Sequence, residues 1–124
     1  MFTIKRIEDP RLSARVCGSY GLDEPGMFAY AACENGQVLA TAAFVLRDGC
    51  ATLCGVDTGK RTDLALIDGM ARAAFSAQLR AGVQQARLDD SLPEQLRLAL
   101  TKRGYTAQGA FSLEAFFAHR NCRK

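Results

Sequence analysis

The first half of the chain has the hydrophobic pattern of antiparallel strands joined by tight turns. Apolar and polar residues alternate over residues 2–7, which predicts a first strand. Apolar runs then follow at 27–33, 37–46 and 50–56. They are separated by Asn35-Gly36 and Asp48-Gly49, pairs that favour the positive φ angles of a hairpin turn. The pattern predicts a three-stranded meander after the first strand.

Two shorter features separate the first strand from the meander. Asp9-Pro10 predicts the start of a helix, since Asp is a good N-cap and Pro suits the first helical position. Residues 19–26 contain Gly21, Pro25 and Gly26 and are expected to form a loop. This loop is expected to be the most mobile part of the N-terminal half.

The second half has the longer period of helices alternating with short strands. Apolar residues cover a wide face over residues 62–81, which predicts a long helix packed on the sheet and ending at Gly82. The remaining predicted elements are a strand at 83–88, a helix at 92–102 capped by residues 89–91, a weaker strand at 105–111 and a last helix at 113–119. A continuing strand stays open as an alternative for residues 113–119.

These elements predict an α/β fold with a mixed, mainly antiparallel sheet and helices packed on its faces. A chain of 124 residues is the size of one domain, so we expect a single domain over residues 1–124. Residues 119–124 form a basic tail that is expected to be frayed.

Charge and composition narrow the classes of partner. The net charge is only +3 and the basic residues are dispersed, so nucleic-acid binding is not expected. No apolar run is long enough to cross a bilayer and the first residues do not resemble a signal peptide, so we expect a cytoplasmic protein that does not bind membranes.

The five cysteines are expected to be reduced and mostly buried, because their number is odd and their spacing irregular. Cys50 and Cys54 would lie about 13 Å apart on one face of a strand, too far to share a metal ion. The single histidine, His119, lies far from them in the sequence. We therefore predict no metal site and no nucleophile triad.

The segment from Cys50 to Leu88 resembles the cofactor-binding region of the GNAT acyltransferases. It combines a strand, the loop Asp57-Thr58-Gly59-Lys60-Arg61, a long helix and a second strand. The family's loop has the pattern R-x-x-G-x-G/A, whose glycine N–H groups hold the pyrophosphate of coenzyme A. The matching positions here are Arg61, Leu64 and Leu66. Val56 corresponds to the end of the family's central strand, where that strand splays from its neighbour.

A second part of the resemblance lies after the last conserved helix, where Arg103-Gly104-Tyr105 is similar to the family's Gly-aromatic step. The family's tyrosine acid would correspond to Leu100, and its asparagine would fall near Pro93. No glutamate lies in residues 50–56 to act as a base. The catalytic residues are therefore unknown, although Tyr20 and Tyr30 are candidate acids, and Tyr105 is expected in the core.

The resemblance implies acetyl-CoA or coenzyme A as cofactor. The implied binding residues are Val56, Lys60, Arg61, Thr62 and Asp63, with Thr62 as the cap of the long helix. Leucines in place of the loop glycines would obstruct close approach of the pyrophosphate, while the helix N-terminus with Lys60 and Arg61 would still attract it.

Two functional hypotheses remain open. The first is a divergent GNAT-like domain whose acyl-CoA-dependent N-acetyltransferase activity, on a small-molecule or amine acceptor, is weak or lost. The second is a non-catalytic protein-interaction or homodimerisation module on the same scaffold. That module would use the sheet edge or the aromatic cluster Phe111, Phe116 and Phe117.

Overall fold

The computed structural model describes the backbone of residues 1–121 and the side chains of residues 1–118. The described residues form six strands and four helices. The strands are β1 (Phe2–Arg6), β2 (Met27–Glu34), β3 (Gln37–Arg47), β4 (Cys50–Asp57), β5 (Gln85–Leu88) and β6 (Phe111–Ser112). The helices are α1 (Pro10–Ser19), α2 (Leu64–Arg80), α3 (Glu94–Thr101) and α4 (Leu113–Asn121). Their order along the chain is β1-α1-β2-β3-β4-α2-β5-α3-β6-α4.

The strands form one sheet in the order β1-β2-β3-β4-β5-β6, which confirms the predicted mixed, mainly antiparallel α/β fold. The pairing of β4 with β5 is parallel and the other four pairings are antiparallel. Parallel neighbours need a crossover connection, and here α2 supplies it.

Each face of the sheet has its own apolar core, because successive strand residues point to opposite faces. The larger core lies between the sheet and helices α2, α3 and α4, with Phe44, Leu53 and Phe75 fully buried in it. The smaller core lies under α1 and includes Cys17 and Cys54.

The hairpin turns form as predicted. Asn35 and Gly36 both have positive φ, 53° and 83°, and Asp48 and Gly49 have φ of 50° and 74°. The start of α1 is also confirmed, since the Asp9 carboxylate accepts hydrogen bonds from Arg11 N and Leu12 N. Local side-chain chemistry is therefore sufficient to define these connections.

The starts of α2 and α3 differ from the prediction. Asp63, not Thr62, caps α2 and accepts a hydrogen bond from Leu66 N. An Asp cap adds a negative charge that favours the positive end of the helix. Helix α3 begins at Glu94 rather than at residue 92, with no side-chain cap, since the residue before Pro93 is disfavoured in helical geometry.

The predicted strand at 105–111 is wrong except at its end. Only Phe111 and Ser112 pair with β5, while Gly104 and Gly109, with φ of 103° and 81°, turn the intervening chain out of an extended path. As predicted, Tyr105 lies in the core, where its hydroxyl donates to Asp68 Oδ1 at 2.7 Å.

The last helix is confirmed and settles the position of the aromatic cluster. Phe116 is buried in the larger core, and Phe111 and Phe117 pack against it. The backbone of α4 is described through Asn121, and the expected frayed tail at 119–124 stays a prediction. Residues 122–124, including Cys122, lie outside the described residues.

The predictions about cysteines, metal sites and membrane spans concern the described residues alone. There, Cys17, Cys33, Cys50 and Cys54 are free thiols. Within the described residues no group of histidine, cysteine and acidic side chains could hold a metal ion. No helix in the described residues is long and apolar enough to cross a bilayer.

Candidate functional site

Strands β4 and β5 diverge halfway along β4. Their last paired residues are Leu53 and Leu88, after which Asp89 N donates a final hydrogen bond to Leu53 O at 2.9 Å. On the other side of β4, Phe44 is opposite Leu53 but Ala43 is opposite Gly55, so Cys54 is the extra residue of a β-bulge. A bulge bends its strand, and β4 continues to Asp57 without pairing with β5.

The divergence opens a cleft of about 710 Å³ between the end of β4, the loop that follows it and helix α3. Its strand side is formed by Cys54, Gly55 and Val56, and Tyr20 reaches it from the end of α1. Its loop end is formed by residues 57–62 together with Leu64 and Ile67 of α2. Its far wall is formed by Ser91, Leu92, Pro93, Gln95, Leu96 and Ala99.

The loop end of the cleft carries two cations. Lys60 and Arg61 are exposed, and among the described side chains neither is paired with a carboxylate. The turn that presents them is held from within, because Gly59 N donates to Asp57 Oδ1 at 2.9 Å and the Thr58 hydroxyl donates to Arg61 O at 2.5 Å. This end of the cleft can attract an anion.

The start of α2 has its own carboxylate in place of an open anion cradle. Asp63 Oδ1 lies 3.1 Å from Leu66 N and occupies one of the free N–H groups of the first turn. With Asp57 and Asp63 beside Lys60 and Arg61, the formal charge of this loop is zero. The local geometry therefore attracts an anion less strongly than a bare helix N-terminus would.

The two leucines that match the family's glycine positions differ in their access to the cleft. Both pack against the larger core, but of the two only Leu64 also lines the cleft. Only the side chain of Leu64 can therefore obstruct a ligand at the loop end.

The wall formed by α3 and the residues just before it is mainly apolar, at Leu92, Leu96 and Ala99, with Ser91 and Gln95 as its polar residues. Leu100, the position that matches the family's tyrosine acid, is fully buried in the larger core. In the part of the chain that the structure describes, α3 therefore brings no ionisable side chain to the cleft.

Tyr20 packs over Gly55 on the strand side of the cleft. A Cβ atom on Gly55 would lie only 2.4 Å from Tyr20 Cδ1, so the ring packs directly on the glycine. The Tyr20 hydroxyl is 2.8 Å from Thr41 Oγ1, on the neighbouring strand β3. Burial raises the pKa of Tyr20, and the phenol is neutral at physiological pH.

Cys54, on the same strand side of the cleft, is a second group that can exchange a proton. Burial raises the pKa of its thiol to about 11, and nearby Asp89 adds to the shift. The side chain is 8% exposed. A thiol with this pKa is almost wholly protonated at neutral pH and is a poor nucleophile.

Two ion pairs of Arg47 hold the loop at residues 19–26 against the sheet, near the point where β4 and β5 separate. Arg47 Nε donates to Glu24 Oε1 at 2.8 Å, and Arg47 Nη1 approaches Asp89 Oδ1 at 3.4 Å. The Arg47 hydrogen bond lowers the pKa of Glu24. Residues 20–26 are thus tied to the point where β4 and β5 separate.

The structure brings most of the predicted binding residues together at the cleft. Val56, Lys60, Arg61 and Thr62 all line the cleft, while Asp63 caps α2. Of the candidate acids, Tyr20 reaches the cleft, and Tyr30 and Tyr105 lie in the larger core.

Several lining residues were not singled out from the sequence. Gly55 was missed, although a glycine inside a strand often marks a bulge or a close contact. The apolar residues of the far wall carry no comparable signal, because Leu92, Leu96 and Ala99 have the spacing of an ordinary buried helix face.

Comparison with known proteins supports the fold at the level of structure. Neither the family models nor the curated proteins match the sequence. The chain is similar to an inferred acetyltransferase from Exiguobacterium sp. 255-15, at TM-score 0.64 and 14% identity over 98% of this chain and 99% of the other.

Two further similar structures are named more specifically. The ribosomal-protein-S18-alanine N-acetyltransferase of Escherichia coli has TM-score 0.60 at 16% identity, over 82% of this chain and 75% of the other. A predicted acetyltransferase of Clostridium acetobutylicum with acetyl-CoA has TM-score 0.59 at 16% identity, over 86% and 90%. The chain has the fold of the GNAT acetyltransferases.

Proposed function

We propose that this chain binds an acyl-CoA in the cleft between β4 and β5, and that it transfers the acyl group to an amine only slowly. The observation that carries the proposal is the divergence of the two strands at the Cys54 bulge. That divergence opens a cleft and leaves the β4 edge over residues 54–57 unpaired with β5. Acetyl-CoA in the similar Clostridium acetobutylicum structure adds support.

The cleft fits the pantetheine arm of such a ligand. The amides of that arm can donate and accept hydrogen bonds along a free strand edge, and its methylenes can pack on apolar side chains. The facing wall at Leu92, Leu96 and Ala99 supplies apolar contact. When bound, the cofactor would supply the activated thioester, and the backbone of residues 54–56 would orient it.

The same side chains fit the pyrophosphate less well. Lys60 and Arg61 would hold it by charge, but Asp57 and Asp63 lie in the same loop and oppose it. Leu64 occupies part of the space at the helix start. We therefore expect weaker binding than a glycine-rich loop on a bare helix end would give.

Slow transfer follows from the lack of proton-transfer groups of suitable pKa. In the reaction the amine nitrogen bonds to the thioester carbonyl carbon, the C–S bond breaks, the nitrogen loses a proton and the sulfur gains one. Among the described residues, Tyr20 and Cys54 are the neutral proton donors on the strand side, and burial raises the pKa of both. A mismatched general acid or base forfeits about 100-fold or more in rate.

Calorimetric titration with acetyl-CoA tests the binding step. We expect saturable binding with a dissociation constant of roughly 10 μM to 1 mM. Arg61→Ala should weaken it about fivefold through loss of a charge-assisted contact, while the matched Arg11→Ala variant on α1 should leave it unchanged. Absence of heat at millimolar ligand, or equal loss in both variants, would overturn the proposal.

A leucine pair provides a second, independent test of the site. Leu64→Ala should strengthen binding by opening the loop end, whereas Leu66→Ala should not, because Leu66 packs against the core and not the cleft. Titration of both purified variants with coenzyme A measures the difference. An equal response of the two variants would place the ligand elsewhere.

The alternative role, a non-catalytic homodimerisation module, draws its support from one end of the sheet. Phe2 on the edge strand β1 and Met1 just before it are 47% and 87% exposed, and Val38 on β3 is 56% exposed. The aromatic cluster is packed in the core, so this apolar end of the sheet carries the alternative. Light scattering at increasing protein concentration, with Phe2→Ser and Val38→Ser variants, tests it through the measured mass.

A further inference from the structure

We propose that Arg47, through its ion pairs with Glu24 and Asp89, is an ionic latch that keeps the cleft closed on the side of the sheet that carries α1. Release of this latch would open a second entrance to the cleft at Cys54. Such a latch would act whatever ligand the cleft binds, and so it is separate from the proposed function.

The contact of Arg47 with the loop at residues 19–26 is the closer of its two ion pairs. Arg47 Nε donates to Glu24 Oε1 and Arg47 Nη2 donates to Glu24 Oε2, both at 2.8 Å. Two parallel bonds of this kind fix the geometry of both side chains as well as attracting them. Arg47 is the last residue of β3, so the pair ties the loop directly to the sheet.

The second contact of Arg47 reaches the point where β4 and β5 separate. Arg47 Nη1 lies 3.4 Å from Asp89 Oδ1. The other carboxylate oxygen of Asp89 accepts a hydrogen bond from Ser91 N at 3.1 Å, and Ser91 lines the cleft. One guanidinium therefore connects the loop to the residues that begin the far wall.

The thiol of Cys54 lies at the boundary between this latch and the cleft. Cys54 lines the cleft and also packs in the smaller core with Leu22 of the loop. After burial, the charges of Asp89, Arg47 and Glu24 contribute to the pKa of the thiol, which places all three groups near it. Movement of Glu24 and its neighbours away from the sheet would uncover the thiol and join the cleft to solvent on the α1 side.

The middle of the loop has few other attachments that oppose this movement. Leu22 N and Gly26 O make backbone hydrogen bonds of 3.1 and 3.0 Å. Between them, the described hydrogen bonds of residues 23–25 are one of 3.4 Å from Met27 N to Glu24 O and those of the Glu24 side chain. The carboxylate of Glu24 is therefore the main tie of this segment to the rest of the fold.

Salt can release the latch because its charges reach solvent. The side chains of Arg47 and Glu24 are 41% and 35% exposed. Exposed ion pairs shift an equilibrium by roughly fivefold or less, and they weaken as ionic strength rises. The closed arrangement is thus favoured at low salt, and an open one becomes accessible at high salt.

The test is the rate at which N-ethylmaleimide, an uncharged reagent, labels Cys54, with each cysteine followed separately by peptide mass spectrometry. Arg47→Met keeps an unbranched side chain over the thiol but cannot form the ion pairs, and it should label at least about threefold faster than the wild type. Loss of the nearby cation would by itself raise the pKa of the thiol and slow labelling, so a faster rate reports opening.

Two controls distinguish opening of the latch from other changes. Arg87→Met breaks the neighbouring ion pair with Asp90, of 3.3 Å, and should leave the Cys54 rate unchanged. Cys17 is fully buried in the smaller core and should stay unlabelled, which excludes general unfolding. Raising sodium chloride from about 0.01 M to 1 M should accelerate labelling of Cys54 in the wild type but not in Arg47→Met.

A Cys54 rate that is unchanged or slower in Arg47→Met, or that rises equally in Arg87→Met, would overturn the latch. Equal acceleration of Cys17 would overturn it too, because the change would then be general unfolding. If Arg47→Met does not fold, as judged by circular dichroism, the salt series on the wild type decides, and a rate that does not rise with salt overturns the latch. No ligand is added, so each outcome is independent of whether the cleft binds acyl-CoA.

Discussion

At the scale of single residues, Gly55 is needed for the space it leaves. Its φ is not in the left-handed region, but its missing side chain is the space that the Tyr20 ring fills. The pair lies beside the Cys54 bulge, where the sheet opens. One glycine therefore links the packing of α1 to the shape of the cleft.

Gly55→Ala should destabilise the fold by about 1–3 kcal/mol, because the new methyl group would overlap the ring. The matched control is Gly18→Ala in α1, where nothing lies within 4 Å, and there we expect stabilisation of about 0.5–1 kcal/mol from helix propensity. Urea denaturation measures both free energies of unfolding.

The double variant Tyr20→Ala/Gly55→Ala isolates the cause. In the Tyr20→Ala background the added methyl group should cost much less, because the space is then open. A Gly55→Ala protein as stable as the wild type, or an equal cost in both backgrounds, would show that the ring does not pack as described.

At the scale of elements, the connection between β4 and α2 determines the charges at the loop end of the cleft. It brings Lys60 and Arg61 to the cleft, but it starts the helix with the Asp63 carboxylate. Stability of the helix and attraction of phosphate are therefore in competition, since the same N–H groups and the same positive helix end serve both.

Replacing the cap should separate these two effects. Asp63→Ala should lower the free energy of unfolding by about 1 kcal/mol, whereas Thr62→Ala should change it by less than about 0.5 kcal/mol. Asp63→Asn keeps a capping oxygen without the charge, so it should retain stability and bind coenzyme A more tightly. Urea denaturation measures the free energy of unfolding and calorimetry measures the affinity for coenzyme A. A larger loss of stability for Thr62→Ala than for Asp63→Ala would show that Thr62 is the cap.

The elements also show how far the sequence could predict the structure. Turns governed by local chemistry, such as Asn35-Gly36 and Asp9-Pro10, agree with expectation. The segment 105–111 does not, because its path depends on the distant Asp68, which binds the Tyr105 hydroxyl. The contact of Tyr20 with Gly55 joins positions far apart in the chain, and no local pattern indicates it.

At the scale of the whole molecule, the chain has the fold of the acetyltransferases to which it is similar. The sheet order, the single parallel pairing and the bulge together open the cleft. Apolar residues and a neutral loop line much of it, where strong phosphate binding and proton transfer would need other groups. If the proposed function holds, this lining would favour binding of a thioester over its reaction.

The most direct test of this account is an amide chemical-shift titration of the ¹⁵N-labelled protein with acetyl-CoA. The account predicts saturable shifts at Cys54, Gly55 and Val56 and at the loop residues Lys60 and Arg61, with the edge strand Phe2–Arg6 unaffected. Shifts centred on β1, or no shifts at millimolar ligand, would contradict the claim that the divergence of β4 and β5 is an acyl-CoA site.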